Sequence, residues 1–275
     1  MAAKPKKPDT NRKKQRIERF HKEEYGICRK WMPMIRRKVS DLVFSRRMLY
    51  IYRKMVNRNP EIQDPLHFHN WIDRMVWALI ALGIRTQVDV GDDAVSLLKL
   101  LRRMRDNPEA FSIETWLSHW EKDDIGIELR AIPKFRTQFA DRNQNHVSLA
   151  RLNQEIEKLT SSSAKVASVA SRMVAHIDRR GLPKNPGDMV DAENAATVIA
   201  ELTQKYSLFF LGNRELLGPP DYQFTEIFSI FLKPWTTEKF LEEVGRHQHD
   251  WESWGHVGRR DNTGEASAKG KRPDS

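Results

Sequence analysis

Apolar residues recur at helical spacing along most of the chain. Between residues 34 and 56 they follow one another at steps of three, four or seven, at Ile35, Val39, Leu42, Leu49, Tyr52 and Val56. This spacing places them on one face of an amphipathic helix. Residues 13–31 predict a separate basic helix before it, because Pro33 lacks the amide hydrogen that a continuing helix uses.

Segment 68–84, FHNWIDRMVWALIALGI, is the most apolar of the chain. It predicts a central helix that is buried on almost every side. The same periodicity predicts helices over 94–105, 112–121, 147–180, 191–211 and 237–246, with Ser112 as a cap and a weakening at residues 160–163. Residues 87–93 and 123–146 predict loops, the second with some local helix. Residues 224–235 are aromatic and β-branched, which favours a strand or an extended strap.

Strand patterns are too few for a sheet-based fold, so the prediction is an all-α helical bundle. It carries a basic N-terminal helical extension and a short extended C-terminal strap. The predicted division has four parts: a disordered basic tail (1–12), the basic helical extension (13–59), the helical bundle with its accessory segment (60–246) and a disordered tail (247–275).

Charge is distributed unevenly along the 275 residues, whose formal net charge is +10. Residues 1–60 contain 19 lysines and arginines against five acidic residues, whereas the remainder is slightly acidic. Such an excess predicts a polyanionic partner, with nucleic acid ahead of a membrane. The alternative is a solubilising tail followed by a solvated helix face.

Composition narrows the setting and the chemistry. A single cysteine, Cys28, excludes an intramolecular disulfide framework and favours a reducing cytoplasm. No run of about 18 apolar residues is present, so we expect no membrane span and no membrane partner. The basic N-terminus lacks the apolar stretch of a secretory signal. His67 and His69 are two residues apart, which on a helix points them in different directions, so we expect no metal site there. The sequence has no glycine-rich phosphate loop of the P-loop or Rossmann type, so we expect no cofactor.

The stretch 164–181, AKVASVASRMVAHIDRRG, is the main candidate for chemistry. Arg172 and His176 are four residues apart, so both project from one helix face. A histidine can deprotonate a ribose 2′-hydroxyl, and a neighbouring guanidinium can stabilise the charged phosphorane that follows. The alternative is a solvated helix end, where Arg172, Arg179 and Arg180 interact with the helix dipole and His176 packs in the bundle.

Several motifs, in order, resemble the HEPN domain of AbiU-type abortive-infection proteins. They are FHNW (68–71), IRTQVD (84–89), VSLLKLLRRMRDNPEAFS (95–112), RMVAHIDRRG (172–181) and IFLKPW (230–235), and the resemblance covers residues 60–236. HEPN domains are helical bundles that typically dimerise, and many are metal-independent endoribonucleases of toxin–antitoxin and phage-defence systems. The resemblance therefore implies an RNA substrate, a homodimer and a possible antitoxin or defence-system partner.

By this resemblance His176 occupies the catalytic histidine position, and Asp178 completes an A-H-x-D form. The family signature, Arg-x(4–6)-His, would place an arginine at position 169, 170 or 171, where this chain has Val169, Ala170 and Ser171. Three alternatives follow: Arg172 serves from one step nearer, Arg85 supplies the cation from another helix, or the site is inactive.

The first functional hypothesis is a HEPN-type metal-independent endoribonuclease or RNase-like toxin of bacterial defence. His176 would act as base or acid, Asp178 would orient it, and Arg172 with Arg85 would hold phosphate. The remaining RNA-binding candidates are Arg179, Arg180, Arg36, Arg37, Lys38, Arg46 and Arg47. The alternative is a non-catalytic HEPN-like protein that binds nucleic acid or serves as an interaction scaffold.

Overall fold

A computed structural model describes residues 10–64, 66–118, 127–141, 144–174, 186–212 and 217, all within the compact unit Met1–Pro220. This part is all-α, as predicted, and contains an isolated β-bridge between Ser112 and His146 but no strand. Its helices are α1 (Thr10–Arg58), α2 (Leu66–Gln87), α3 (Leu97–Asp106), α4 (Ile113–Leu117), α5 (Ile127–Gln138), α6 (Leu149–Val169) and α7 (Met189–Leu211). None of these helices combines the length and apolar character needed to cross a membrane. The predicted strap at 224–235 and helix at 237–246 lie outside the described residues.

Helix α1 is a single helix of 49 residues, so the predicted break at Pro33 is wrong. Pro33 removes the hydrogen bond to the carbonyl of Arg29, but both residues are on the solvent-exposed side, where water can bind that carbonyl. On the opposite side Met32 and Ile35 are fully buried. Core packing on both sides of the proline therefore keeps the helix continuous.

The buried face of α1 belongs to the main hydrophobic core. Its members are Tyr25, Cys28, Met32, Ile35, Val39, Leu42 and Leu49. They pack chiefly against α7 and α2, and α6 in turn packs against α7, α2 and α3. The segment predicted as a basic extension thus supplies one wall of the same core that the other helices build.

Helix α2 was predicted to be buried almost throughout, and this is wrong for its first two thirds. Its buried residues are Ile80, Ala81, Ile84 and Gln87, all in the last turns. From residue 50 to residue 79 no side chain is buried in the described structure, so the end of α1 and the start of α2 form a hairpin beside the core. The apolar composition of α2 therefore does not mean that the whole helix is buried.

Polar contacts hold this hairpin together. The Tyr52 hydroxyl lies 2.5 Å from Nδ1 of His69, and Nε2 of His69 lies 2.6 Å from the carbonyl oxygen of Ile62. Arg53 donates two hydrogen bonds, of 3.1 and 3.0 Å, to the carboxylate of Asp73. His69 therefore packs against Tyr52 and stabilises the turn between the two helices.

Residues 127–138 form helix α5 where a loop with only local helix was predicted. Burial of Ala131 and Phe135 against Trp116 stabilises the helix. The indole Nε1 of Trp116 also donates a 3.2 Å hydrogen bond to the carbonyl of Ala131. The predicted cap at Ser112 is confirmed, because its side chain accepts from the amide of Thr115 at the start of α4.

Helices α6 and α7 approach closely just before α7 begins. A Cβ built on Gly187 would lie 2.9 Å from Cγ2 and 3.0 Å from the backbone nitrogen of Val166. Asp188 follows as the N-cap of α7, and Gly212, with φ of +73°, ends that helix as predicted. Gly187 therefore sets the distance between α7 and the end of α6.

We expect Gly187→Ala to lower the free energy of unfolding by about 1–3 kcal/mol, because the added methyl group overlaps the Val166 backbone. Gly26→Ala, in helix α1, is the matched control, since its Cβ would meet nothing within 4 Å. There the same change is expected to stabilise the helix by about 0.5–1 kcal/mol. Urea unfolding followed by circular dichroism measures both, and equal effects at the two glycines would contradict the close approach.

Candidate functional site

The end of the long helix changes its winding where the candidate site begins. Helix α6 ends at Val169, and residues Ala170–Val174 form a π-helical turn where the sequence predicted a regular helix. Single π-turns within helices are frequently found at functional sites. Arg172 lies in this turn and is half-buried. His176, Asp178, Arg179 and Arg180 lie outside the described residues.

The helix before the turn is regular in spite of its run of hydroxyl residues. Thr160 donates to the carbonyl of Ile156 over 2.8 Å, and Ser162 donates to the carbonyl of Leu159 over 3.2 Å. These bonds turn the hydroxyls back onto their own helix. The predicted weakening at residues 160–163 therefore does not occur, and the winding changes only at Ala170.

Arg85, near the end of α2, reaches the π-turn. Its Nε donates a 2.9 Å hydrogen bond to the hydroxyl of Ser171, a residue 86 positions away in sequence. Ser171 occupies one of the three positions where the family resemblance would place an arginine. The structure thus brings the guanidinium of Arg85 to the position where the chain's own helix has none.

The remaining donors of Arg85 are free toward the described structure. Its Nε donates to Ser171, and neither terminal nitrogen makes a hydrogen bond or ion pair with a described residue. Arg172 likewise forms no ion pair with the residues that the structure describes. Arg85 therefore offers donors that suit a phosphate beside the π-turn, and the half-buried Arg172 is the residue that follows its partner Ser171.

The basic candidates on α1 occupy different environments. Arg46 forms an ion pair of 2.5 Å with Glu193 on α7 and a 3.3 Å hydrogen bond to Thr197, so much of its charge is compensated. Arg46 and Arg47 both line a groove of about 590 Å³ between α1 and α7, and Arg47 is exposed. Of the other candidates, Arg36 is half-buried, whereas Arg37 and Lys38 are exposed.

Lys38 lies beside the end of α2. It shares a shallow groove of about 230 Å³ with Gly83 and Thr86, the residue after Arg85. The sequence did not indicate this proximity, because Lys38 and Thr86 belong to different helices. Ser171 was also missed as a partner for Arg85, since a serine in a helical pattern gives no signal of a distant contact.

Other candidate chemistry finds no support in the described residues. Cys28 is buried, and burial raises the pKa of its thiol to about 12, so at neutral pH it is not a thiolate nucleophile. No group of three or more His, Cys, Asp or Glu side chains is placed to hold a metal ion in the part of the chain that the structure describes. His146, the other histidine with an arginine four residues before it, places its Nδ1 3.0 Å from the carbonyl oxygen of Val147.

Comparisons of the chain with protein-family models, curated proteins and solved structures found no match. The resemblance to HEPN domains therefore stays a prediction.

Proposed function

We propose that this chain is a metal-independent endoribonuclease of the HEPN type that acts in bacterial defence. The observation that carries the proposal is the hydrogen bond from Arg85 to Ser171, which supplies a guanidinium at the position where the family signature has its arginine. Arg172, in the π-turn, adds a second cation next to Ser171 in sequence. In the proposal these two arginines take the role of the one that the family signature has and that this sequence lacks at positions 169–171.

In the proposed reaction His176 removes the proton of a ribose 2′-hydroxyl. The 2′-oxygen attacks the adjacent phosphorus, the bond from phosphorus to the 5′-oxygen breaks, and that oxygen receives a proton. The products are a 2′,3′-cyclic phosphate and a 5′-hydroxyl end. Arg85 and Arg172 stabilise the negative charge that develops on the phosphorane, and Asp178 orients the imidazole.

The exposed cations Arg37, Lys38 and Arg47 on α1 extend the RNA-binding surface beyond the two arginines of the site. Arg179 and Arg180 complete the phosphate contacts in the proposal. A cytoplasmic location, a homodimer and an antitoxin or defence-system partner belong to the same proposal.

The test is cleavage of a labelled RNA in the presence of EDTA. We expect 2′,3′-cyclic phosphate ends from the wild type, a loss of about 10²–10⁴-fold in rate for His176→Ala, and about 10²–10³-fold for Arg85→Ala. Arg74→Ala is the matched control, because Arg74 is an exposed arginine on the same helix. Cleavage by His176→Ala at the wild-type rate would reject the enzyme, and an unaffected Arg85→Ala would reject the role of Arg85.

The second candidate is an RNA-binding protein without cleavage activity, and Val169, Ala170 and Ser171 at the signature positions favour it. Deleting α1 would remove seven core side chains, so RNA binding by this helix is better tested with a surface substitution. Arg37→Glu changes an exposed cation instead and is expected to weaken RNA binding and reduce its salt dependence. Binding that persists without any cleavage in wild type would favour this candidate.

A further inference from the structure

Helix α2 presents an exposed apolar stripe toward solvent. Phe68, Trp71, Met75 and Leu79 follow one another at steps of three and four residues and are 50%, 54%, 42% and 54% exposed. The half-buried Leu82 continues the stripe by one further step of three. At about 100° per residue these five side chains lie on one side of the helix. The opposite side carries Ile80, Ala81 and Ile84, which are in the core.

The spacing of the stripe is symmetric about its central residue. From Phe68 to Leu82 the steps are three, four, four and three, with Met75 in the middle. When two such helices pair in antiparallel orientation about a two-fold axis at Met75, Phe68 of each copy meets Leu82 of the other. Trp71 meets Leu79, and Met75 meets itself. A two-fold interface requires this kind of self-complementary patch.

A shallow groove is available for the largest side chain of the stripe. Beside Leu79, helices α1 and α2 enclose about 230 Å³ lined by Asp41, Ser45, Gly83 and other residues. In the antiparallel pairing Trp71 of the second copy lies opposite Leu79, at the mouth of this groove.

The exposed area suits an interface between copies. Four apolar side chains that are each about half exposed offer on the order of 400 Å² per copy, about half of what one partner contributes to a standard interface. In this pairing the remaining interface area comes from the groove residues of α1 and from the polar positions beside the stripe. A contiguous apolar patch of this size matches the largest patch on a typical monomer, and such patches are often functional.

We propose that the stripe of α2 is the surface through which two copies of this chain pair, in antiparallel orientation about Met75. This inference names the surface of the homodimer in the proposed function, but it does not depend on RNA cleavage. Arg85 of each copy then lies ten residues from the axis, so the two arginines are on the order of 30 Å apart along the helices. Each copy therefore keeps its own Arg85–Ser171 site.

The test is the mass of the full chain in solution by light scattering, at micromolar concentrations. We expect the wild type to have twice the 32.2 kDa of one chain and Met75→Glu to be monomeric, because the two-fold axis places two carboxylates together. Met75→Lys should also be monomeric, and an equimolar mixture of the two variants should regain the dimer. Asn70→Glu, an exposed change on the same helix away from the stripe, should leave the dimer intact.

A monomeric wild type would overturn the proposal and assign the stripe to a different partner. A dimer that Met75→Glu leaves unchanged, or a mixture that fails to reassociate, would overturn the pairing about Met75. Met75→Cys gives a second measurement that does not depend on charge. Because Cys28 is buried, the new cysteine is the reactive one, and we expect a disulfide-linked dimer from Met75→Cys but not from His67→Cys. RNA cleavage enters none of these outcomes.

Discussion

Phe209→Ala is expected to lower the free energy of unfolding by about 3–5 kcal/mol, because it removes the central ring of the core. Phe209 on α7 is fully buried. Its ring centroid lies between 4.9 and 6.5 Å from those of six neighbours, namely Tyr25, Phe111, Trp116, Phe135, Phe139 and Phe210. These neighbours come from α1, α4, α5, α7 and the connecting segments, so the loss acts on several elements at once.

Urea unfolding followed by circular dichroism measures this effect, and the slope of free energy against urea should stay that of the wild type. Phe20→Ala is the matched control, because Phe20 is 45% exposed on α1. The same change there is expected to cost well under about 1 kcal/mol. A loss at Phe209 no larger than that at Phe20 would contradict the central position of the Phe209 ring.

Helix α7 shows how far periodicity predicts this fold. Its apolar spacing and Gly212 placed it at 191–211, and the structure has it at Met189–Leu211. Local signals were sufficient there, since the cap at Asp188 and the end at Gly212 are both properties of neighbouring residues. The same holds for Ser112, whose capping role depends only on the next three residues.

Prediction failed where tertiary contacts decide the outcome. Pro33 is a strong local stop signal, yet the buried side chains Met32 and Ile35 keep α1 continuous. Phe68 and Trp71 suggested burial by their composition, but burial requires a partner element, and none of the described helices covers that side of α2. Hydrophobicity predicts that a surface needs covering without saying what covers it.

The candidate site, too, was only partly predictable from the sequence. Sequence singled out Arg85 as one of two candidates for the missing cation, but its separation of 86 residues from Ser171 left that alternative undecided. The contact exists because α2 packs against α6 and its π-turn, which is a property of the assembled bundle. The position of Lys38 beside the end of α2 depends on the same packing and could not be read from either helix alone.

Arg103→Ala is expected to lower the free energy of unfolding by about 3 kcal/mol, because it leaves the carboxylate of Glu24 buried without its partner. Arg103 on α3 donates two hydrogen bonds of 2.9 Å to Glu24 on α1, and its guanidinium lies 5.3 Å from the ring centroid of Trp31. The side chain of Glu24 is only 10% exposed, whereas that of Arg103 is 34% exposed. The effect is therefore at the lower end of the range for buried pairs.

The cost should come from the unpaired charge more than from the lost attraction, and a second variant separates these causes. Glu24→Leu combined with Arg103→Met removes both charges and keeps apolar volume, so we expect most of the lost stability to return. Arg105→Ala is the control on the same helix. Its partner Asp106 is 57% exposed, unlike Glu24, so this pair should contribute about 0–1 kcal/mol. A double variant as unstable as Arg103→Ala would show that the geometry of the pair, and not burial of a lone carboxylate, stabilises the contact between α1 and α3.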